Sequence, residues 1–400
     1  MSKKPRQLNI GFNQFKERRD NERLPIDPVI FLCTLALLII GLVMMTSASI
    51  TSADNTFANP FYYSQRQLLF IFIGLSCGYV IWRLPLHTWD TLRPLMLVLG
   101  LLLLAIVLIP GVGQTVNGST RWIRISGFNV QISEIIKIFI IIFMAGYLSK
   151  HRESLQQSSR AVLVPMFILG VVAALLLLEP DLGAAVVIFA TGLSMLLLAG
   201  VRVRIFLILL AIAAAGFFLL AYTSPYRLIR LTAFANPWSD PFNSGFQLSQ
   251  SLIAFGRGEW FGVGLGESVQ KLFYLPEAHT DFVFAVIAEE LGFMGALIII
   301  GLYTAIAWRA LFIGRAAEKN NQYFAAFTAY GVGCWLVFQA YVNIGVNMGV
   351  LPTKGLTLPL MSYGGSSVVT SLAAIALLMR ADYELRFQYS EEEKERRATC

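Results

Sequence analysis

Charged side chains are scarce in this chain of 400 residues: Asp, Glu, Lys and Arg make up 14% of it, whereas soluble domains carry about 25%. Hydrophobic side chains reach 56%, and the mean hydropathy is +0.65. This combination excludes a cytosolic enzyme, a disordered regulator and a large water-exposed domain. The chain is therefore predicted to be an integral membrane protein.

Cysteine is also rare, with four residues that show no short spacing, three of them inside apolar stretches. A disulfide framework or a zinc site is therefore not expected. The sequence lacks a Gly/Ser-rich linker, a low-complexity block and a repeat of fixed period. We expect one membrane domain over residues 28–380, between short polar cytoplasmic tails at 1–27 and 381–400.

Ten apolar segments are long enough for membrane-spanning helices, each of which needs about 20 residues. The predicted fold class is therefore an all-α integral membrane protein with ten transmembrane helices. The first is expected to be retained as a signal anchor, because its apolar run exceeds that of an ordinary signal peptide. The predicted spans are 28–50, 64–83, 92–110, 132–149, 161–178, 182–200, 204–222, 281–308, 324–350 and 359–379.

The basic residues predict the orientation, since cytoplasmic loops of membrane proteins carry an excess of Lys and Arg. Of the 31 basic residues, 22 lie in the two tails and the loops on their side, and 8 lie on the opposite side. Both termini are therefore predicted to be cytoplasmic. Because orientation explains most of the net charge of +7, that charge indicates no nucleic-acid partner.

A loop of 58 residues, 223–280, separates the seventh and eighth predicted spans on the outer side. Loops of this length are usually functional or disordered, and this one is too apolar and aromatic to be disordered. We therefore expect a large periplasmic loop that carries interfacial helices.

Two segments of this loop have a helical or interfacial pattern, and a third predicts a turn. Leu248, Leu252 and Phe255 recur at helical spacing, which predicts a helix lying on the membrane surface. Residues 226–230 are a second interfacial candidate. The glycine-rich residues 262–266 lack the spacing and the preceding strand of a dinucleotide-binding motif, so they predict a flexible turn.

Ionisable residues are concentrated where the loop meets the eighth predicted span. Glu277, His279 and Asp281 lie close together, and Asp281 can either cap the following helix or face a functional site. Glu289 and Glu290 follow inside the span, where ionisable groups are costly and are candidates for function. They can equally form a buried structural pair with basic or hydroxyl partners.

Other spans also contain polar residues. Glu134 and Lys137 are spaced i, i+3, so they can neutralise each other, or Lys137 can face a cavity and bind an anion. Gln339, Asn343 and Asn347 form a stripe at i, i+4, i+8, which favours interhelical hydrogen bonds.

Two Gly-x-x-x-Gly pairs, Gly74 with Gly78 and Gly345 with Gly349, predict close helix packing, most simply inside the bundle. A partner interface is the alternative use of such a pair.

Outward-facing cations accompany these acids: Arg121 and Arg124 between the third and fourth spans, and Lys354 before the last. A carboxylate can take a proton from a hydroxyl nucleophile, and cations can hold a phosphate leaving group. The set suits glycosyl transfer from a lipid-linked diphosphate sugar. It suits an anion- or proton-coupled transporter equally well.

Five segments resemble the SEDS family (shape, elongation, division and sporulation). The similarity runs from the first predicted span to the last, and residues 267–271 and the basic N-terminus are more similar to the division members than to the elongation members. Glu179 is a departure, since relatives often have Gln there. The segments are 118–123, 131–137, 179–183, 264–285 and 352–367.

This resemblance implies a peptidoglycan glycosyltransferase of the bacterial inner membrane, active on its periplasmic face at the division septum. Such an enzyme polymerises lipid II into β-1,4 glycan strands and releases undecaprenyl diphosphate. Asp281 is the implied catalytic residue. The implied substrate-binding residues are Arg121, Lys137, Lys354, Glu277 and His279, and the expected cavity or structural polar residues are Glu134, Glu289, Glu290 and Asn343.

The resemblance also implies partners: lipid II, the growing lipid-linked glycan, a class B penicillin-binding transpeptidase and other membrane proteins of the divisome. No cofactor and no metal ligand set are expected, although a divalent cation could bind with the substrate diphosphate. The main alternative is a lipid II flippase, in which Lys137, Glu289 and Glu290 would line the substrate path. A scaffold for division proteins is a third possibility.

Overall fold

The structure, a computed structural model, describes residues 26–116, 119–125, 127–157, 160–222, 232–272, 274–352 and 355–398. Ten helices of 17 residues or more occur in these ranges, one at each predicted span. They are α1 (Pro28–Phe57), α2 (Tyr62–Arg83), α3 (Leu86–Val107), α4 (Ile132–Lys150), α6 (Arg160–Leu178), α7 (Leu182–Leu198), α8 (Val203–Tyr222), α10 (Val283–Lys319), α11 (Tyr323–Asn347) and α12 (Gly365–Ala398). Two shorter helices, α5 (Arg152–Gln157) and α9 (Phe246–Gly258), lie between them.

Seven of these helices, α1, α2, α3, α4, α6, α10 and α11, are long and apolar enough to cross a membrane. In α7 and α8 the apolar helical stretch is shorter. Length and composition therefore confirm a helical membrane protein with several spans.

Two of the predicted spans differ from the helices that are observed. The last helix begins at Gly365 rather than at residue 359, because 359–364 form turns, and it continues far past residue 380. The eighth is interrupted at Gly292, which has a non-helical φ of 68°. Apolar composition identified both segments, but it carries no information about turns within them.

A small antiparallel sheet precedes α4, so the fold is mostly helical, as predicted, but not entirely so. Its strands, in the order β1-β2-β3, are β1 (Gly113–Val116), β2 (Ser119–Ile125) and β3 (Phe128–Gln131). In β2, Trp122 pairs with Gln131 of β3. The strands are rich in Thr, Val, Ile and Trp, which favour β-structure. They are only 4, 7 and 4 residues long, so a search for long apolar segments does not detect them.

The centre of the bundle is formed by α4, α10 and α11. In the apolar 18-residue stretch of each helix, 67%, 67% and 72% of the residues are buried. By contrast, α2 and α3 are 22% and 17% buried and lie at the periphery. The peripheral α2 packs closely on α12, since a Cβ at Gly74 would lie 2.6 Å from Leu372 and one at Gly78 would lie 3.4 Å from Ala376. This first glycine pair is thus used inside the bundle, as predicted.

The helix predicted in the outer loop is present as α9, but its apolar side faces protein rather than the membrane. Leu248 is buried, and the rings of Phe255 and Phe284 lie 5.8 Å apart. The predicted interfacial segment 226–230 lies outside the described residues.

Glu289 fastens the loop after α9 to the first part of α10. Its buried carboxylate accepts hydrogen bonds from Arg257 Nη1 (3.0 Å), Ser268 Oγ (2.5 Å) and the backbone N–H of Val269 (3.1 Å). Of the two interpretations left open by the sequence, the structural pairing with basic and hydroxyl groups is the one observed.

Glu290 makes a second attachment. Its buried carboxylate accepts from Ser47 Oγ of α1 (2.7 Å), Lys271 Nζ (2.8 Å) and the backbone N–H of Gly266 (3.0 Å). Two separate parts of the chain, α1 and the loop after α9, are therefore attached to α10 through one acid.

The glycine-rich turn 262–266 is held against the same helix. Backbone N–H groups of Val263 and Gly264 donate to the carbonyls of Glu289 and Glu290, at 3.0 and 3.1 Å. Gly262 has a φ of 81°, and a Cβ there would lie 2.1 Å from the Glu290 carbonyl oxygen. The sequence predicted a flexible turn here. The turn is present, but its backbone is fixed to α10 by these hydrogen bonds.

We expect Gly262→Ala to lower the free energy of unfolding by at least ~2 kcal/mol, because the substitution adds both an unfavourable φ and a backbone clash. Gly256→Ala in α9 is the matched control, since a Cβ there meets nothing within 4 Å. Thermal unfolding of the purified protein in detergent would measure both. Equal midpoints for the two variants would contradict the close approach at Gly262.

Candidate functional site

A cavity of about 450 Å³ opens at the end of the bundle where α2, α4, α10 and α12 begin. Its walls come from α2, the small sheet, the turn before α10 and the segment before α12. The polar and aromatic lining includes Tyr63, Arg66, Arg121, Trp122, Gln131, Glu134, Glu277, His279, Thr280, Asp281, Tyr363, Ser366 and Ser367. Five of the predicted site residues, from three segments of the sequence, are among the lining: Arg121, Glu134, Glu277, His279 and Asp281.

Asp281 lines the cavity and does not cap the helix that follows. The first residue of α10 is Val283, its N-cap is Phe282, and no side chain caps it. A Cβ at Gly355 would lie 3.0 Å from Asp281 Oδ2 and 3.7 Å from Arg121 Nη2. The absence of a side chain at Gly355 therefore leaves room for the carboxylate and the guanidinium on the same side of the cavity.

The backbone at Asp281 is held by the polar stripe of α11. Asn343 Nδ2 and Asn347 Nδ2 donate to the Asp281 carbonyl at 2.8 and 3.0 Å, and Asn347 Oδ1 accepts from the N–H of Ala285 at 3.1 Å. The predicted hydrogen bonds of this stripe are confirmed, and they position the start of α10.

Glu277 shapes the turn that leads to Asp281. It has a φ of 56°, and its carbonyl accepts from the N–H groups of Thr280 and Asp281, both at 3.2 Å. Its side chain accepts from Thr280 Oγ1 at 2.8 Å. The turn therefore directs the backbone of Asp281 back towards the cavity.

His279 lies among aromatic rings in the same wall. Its ring centroid is 4.5 Å from that of Tyr63 and 5.7 Å from that of Tyr363, whose N–H donates to the His279 carbonyl at 2.9 Å. Burial lowers the pKa of His279, and the carboxylate of Glu277 opposes this shift only in part. His279 is therefore uncharged at neutral pH and is suited to hydrogen bonding rather than to charge pairing with a phosphate.

Arg121 reaches the cavity from β2 and is oriented by Asp181, with Nη1 and Oδ1 3.6 Å apart. Asp181 also accepts from Ser133 Oγ (2.9 Å) and caps α7 by accepting from the N–H of Ala184 (3.1 Å). Asp181 belongs to the segment 179–183, which resembles the family, but no role was predicted for it. The signal was its place directly before an apolar helix, which is typical of an N-cap.

Lys137 differs from its predicted position, because it lies below the cavity and not in its wall. Its side chain is 1% exposed, and Nζ donates to Glu134 Oε1 (2.5 Å) and Gln339 Oε1 (2.7 Å) and lies 5.1 Å from the Trp335 ring centre. The intrahelical pair is thus the arrangement observed. The positive charge of Lys137 is opposed by Glu134, which does line the cavity.

Arg66 is a cavity residue that sequence reasoning did not single out. It extends from α2, with its guanidinium carbon 5.2 Å from the Tyr62 ring centre. In the sequence, Arg66 is a single cation at the outer end of a span, and nothing in its surroundings distinguishes it from the other outer cations. Lys354 lies outside the described residues, although Gly355 beside it lines the cavity.

Glu179 is buried behind Arg121, and neither carboxylate oxygen has a hydrogen-bond partner among the described residues. Burial, and to a lesser extent the carboxylate of Asp181, raise the pKa of Glu179 to about 8, although Arg121 opposes the shift. Glu179 is therefore largely protonated at neutral pH.

This burial predicts a pH-dependent stability. Because the pKa of Glu179 is higher in the folded than in the unfolded chain, its contribution is complete at low pH and is lost as pH rises from about 4.5 to about 8. We expect Glu179→Gln to remove this loss. The thermal midpoint of the variant relative to wild type should rise between pH 5 and pH 8 and then level off.

The exposed Glu267 provides a control, since Glu267→Gln should leave that difference constant with pH. A constant difference for Glu179→Gln as well would show that Glu179 is ionised in the folded chain.

Comparisons with known proteins agree on one family. The family model for cell cycle proteins of the FtsW, RodA and SpoVE type matches residues 28–387. The chain is 53% identical over 359 residues to the "Probable peptidoglycan glycosyltransferase FtsW" of Thioalkalivibrio sulfidiphilus, covering 90% of each chain. It is 51% identical over 358 residues to the protein of the same name from Coxiella burnetii, covering 90% of this chain and 96% of that one.

Solved structures are similar over comparable lengths. A chain from a study of how a peptidoglycan synthase complex coordinates polymerization and crosslinking matches with a TM-score of 0.74 and 27% identity, covering 92% of this chain and 100% of that chain. The rod shape determining protein RodA of Thermus thermophilus matches with a TM-score of 0.65 and 27% identity, covering 89% and 96%.

Proposed function

The chain belongs to the FtsW/RodA/SpoVE family of cell cycle proteins, and we propose that it is a peptidoglycan glycosyltransferase that polymerises lipid II during cell division. The observation that carries the mechanism is the placement of the Asp281 carboxylate and the Arg121 guanidinium around Gly355 in one cavity. A base and a cation that line the same cavity suit a reaction in which a hydroxyl attacks and a phosphate leaves.

In the proposed reaction, Asp281 takes the proton from the GlcNAc 4-hydroxyl of the acceptor lipid II. The hydroxyl oxygen then attacks the anomeric carbon of the lipid-linked growing chain, and the bond to the diphosphate breaks. Direct displacement inverts an α-linked donor to a β-1,4 product, and undecaprenyl diphosphate leaves. A positioned general base of this kind contributes about 10²–10⁴-fold to a rate.

The leaving diphosphate needs cations as its negative charge grows. Arg121 is the described candidate for this role, because its side chain lies in the cavity and Asp181 orients it. A guanidinium can bind two phosphate oxygens at once. We propose Lys354 as a second diphosphate ligand, since Gly355 beside it lines the cavity, whereas Lys137 acts indirectly through Glu134.

Glu277 and His279 are proposed to act by shaping and lining the site. Glu277 forms the turn before Asp281, and the neutral ring of His279 provides a hydrogen-bonding surface between two tyrosines. A divalent cation, if one takes part, would enter with the diphosphate. Within the described residues, no group of three or more His, Cys, Asp or Glu side chains could hold a metal ion.

We propose ten spans, cytoplasmic termini and a cavity open to the periplasm, in a multi-pass protein of the inner membrane at the division septum. Ten helices occupy the predicted positions, and the excess of basic residues lies on the side of the termini, opposite the cavity. The membrane domain would be residues 28–380. The exposed faces of α2 and α3 are candidate contacts for a class B penicillin-binding transpeptidase and other divisome proteins.

We expect Asp281→Asn to reduce the rate of lipid II polymerisation at least ~100-fold, because the amide cannot accept the hydroxyl proton. The measurement is glycan formation by purified protein, with its transpeptidase partner if required. Asp240→Asn, in the outer loop and outside the cavity, is the matched control and should keep full activity. Near-normal polymerisation by a folded Asp281→Asn protein would refute the assignment.

Arg121→Ala should lower kcat/KM for lipid II about tenfold, because the lost contact to the leaving diphosphate contributes roughly 1.4 kcal/mol to the stability of the transition state. Arg124→Ala is a control on the same strand, because Arg124 is exposed and does not line the cavity. Steady-state polymerisation at varied lipid II concentrations separates KM from kcat. A similar change for both variants would indicate a general charge effect.

A lipid II flippase remains the alternative to be tested. In detergent there are no leaflets, so glycan strands formed there can come only from glycosyl transfer. Translocation in vesicles without polymer, dependent on Lys137, Glu289 and Glu290, would favour the flippase. In the structure these three side chains are occupied in structural ion pairs.

A further inference from the structure

A second cavity, of about 570 Å³, lies at the other end of α10 from Asp281. It is lined by Arg152, Phe312, Arg315, Ala316, Glu318 and Lys319. Because α10 has 37 residues, the two cavities are separated by up to about 55 Å at 1.5 Å per residue. The second cavity is therefore independent of the proposed active site.

Positive charge dominates this cavity. It contains three cations, and Glu318 is the one carboxylate among the lining residues that the structure describes. Glu318 is engaged by Arg152 Nη2 at 3.0 Å. Arg315 and Lys319 are exposed, and no described carboxylate forms an ion pair with either. An excess of two positive charges is thus left for an external anion.

Arg152 provides a second, independent observation. Its guanidinium is held in place, since Nη1 donates to Tyr323 Oη (2.8 Å) and the Tyr323 ring centre lies 4.4 Å away. Its side chain is nevertheless 32% exposed, and it lines the cavity. A guanidinium that is already held in place binds an anion with little further loss of side-chain freedom.

The apolar surroundings indicate what kind of anion would bind. Trp308, Phe312, Arg315 and Lys319 follow one another at i, i+4, i+7 and i+11, on one face of α10. Trp308 and Phe312 are 71% and 56% exposed. Two exposed aromatic rings within a span, followed by two cations at its end, match the boundary between acyl chains and headgroups.

We propose that this cavity binds the phosphate of an anionic phospholipid. Arg152, Arg315 and Lys319 contact the phosphate, and Phe312 and Trp308 contact the glycerol and acyl chains. In the orientation proposed above, this end of α10 is cytoplasmic. The neighbouring Arg309 is not part of the site, because it pairs with Asp27 at 2.6 Å.

The test is native mass spectrometry of the full-length protein after exchange into mixed micelles of phosphatidylglycerol and phosphatidylcholine. We expect wild type to retain phosphatidylglycerol in preference to phosphatidylcholine. Arg315→Gln with Lys319→Gln should lower the retained phosphatidylglycerol about tenfold, as expected for the loss of two charge-assisted contacts.

Arg83→Gln with Arg204→Gln is the matched control. It removes two exposed cations from the same proposed side of the membrane, and neither residue lines this cavity. Equal losses for the two double variants would show that general surface charge is responsible and would overturn the proposal.

Two further arms distinguish the source of the phosphate and guard against misfolding. Displacement of phosphatidylglycerol by inorganic phosphate at equal concentration would identify a free-phosphate site and overturn the lipid proposal. Trp308→Ala keeps every charge and alters an exposed residue, so the fold should tolerate it. Reduced retention of phosphatidylglycerol by this variant would support the lipid contact, and unchanged retention would contradict it.

Discussion

The proposed active site depends on two amides of α11 that donate to one backbone carbonyl. Asn343 and Asn347 bind the carbonyl of Asp281, and Asn347 also accepts from the backbone of α10. These bonds fix the point at which the turn from Glu277 ends and the helix begins. The carboxylate of Asp281 is therefore presented to the cavity by a buried hydrogen-bond network and not by its own side-chain contacts alone.

Elsewhere in the bundle, too, the buried charged residues named below have partners. Glu289, Glu290, Lys137 and Asp27 are all buried, and each has an oppositely charged partner. Removing one partner from such a pair leaves an uncompensated charge, at a cost of about 3–5 kcal/mol. The pairs made by Glu289, Glu290 and Asp27 tie distant segments together, so that the outer loop, the start of α1 and α12 are all anchored to α10 or to each other.

Much of the helical framework could be predicted from composition, because a span requires a long apolar run whatever its neighbours are. The small sheet could not, since β1 to β3 are short and their pairing depends on local turns. The surroundings of Lys137 could not be predicted for a related reason. Its spacing from Glu134 allowed both a pair and a cavity-facing cation, and only the packing of Gln339 and Trp335 around it selects the pair.

By itself, the sequence determined the membrane class, the positions of the helices and the family motifs, because these depend on local composition and on residue identity. The tertiary structure alone decided which polar residues share the cavity. Arg66, Asp181 and Gly355 lie far apart in the chain and become neighbours of the site only when α2, α7 and the last loop converge. Contacts between distant segments are set by packing, which local sequence patterns do not encode.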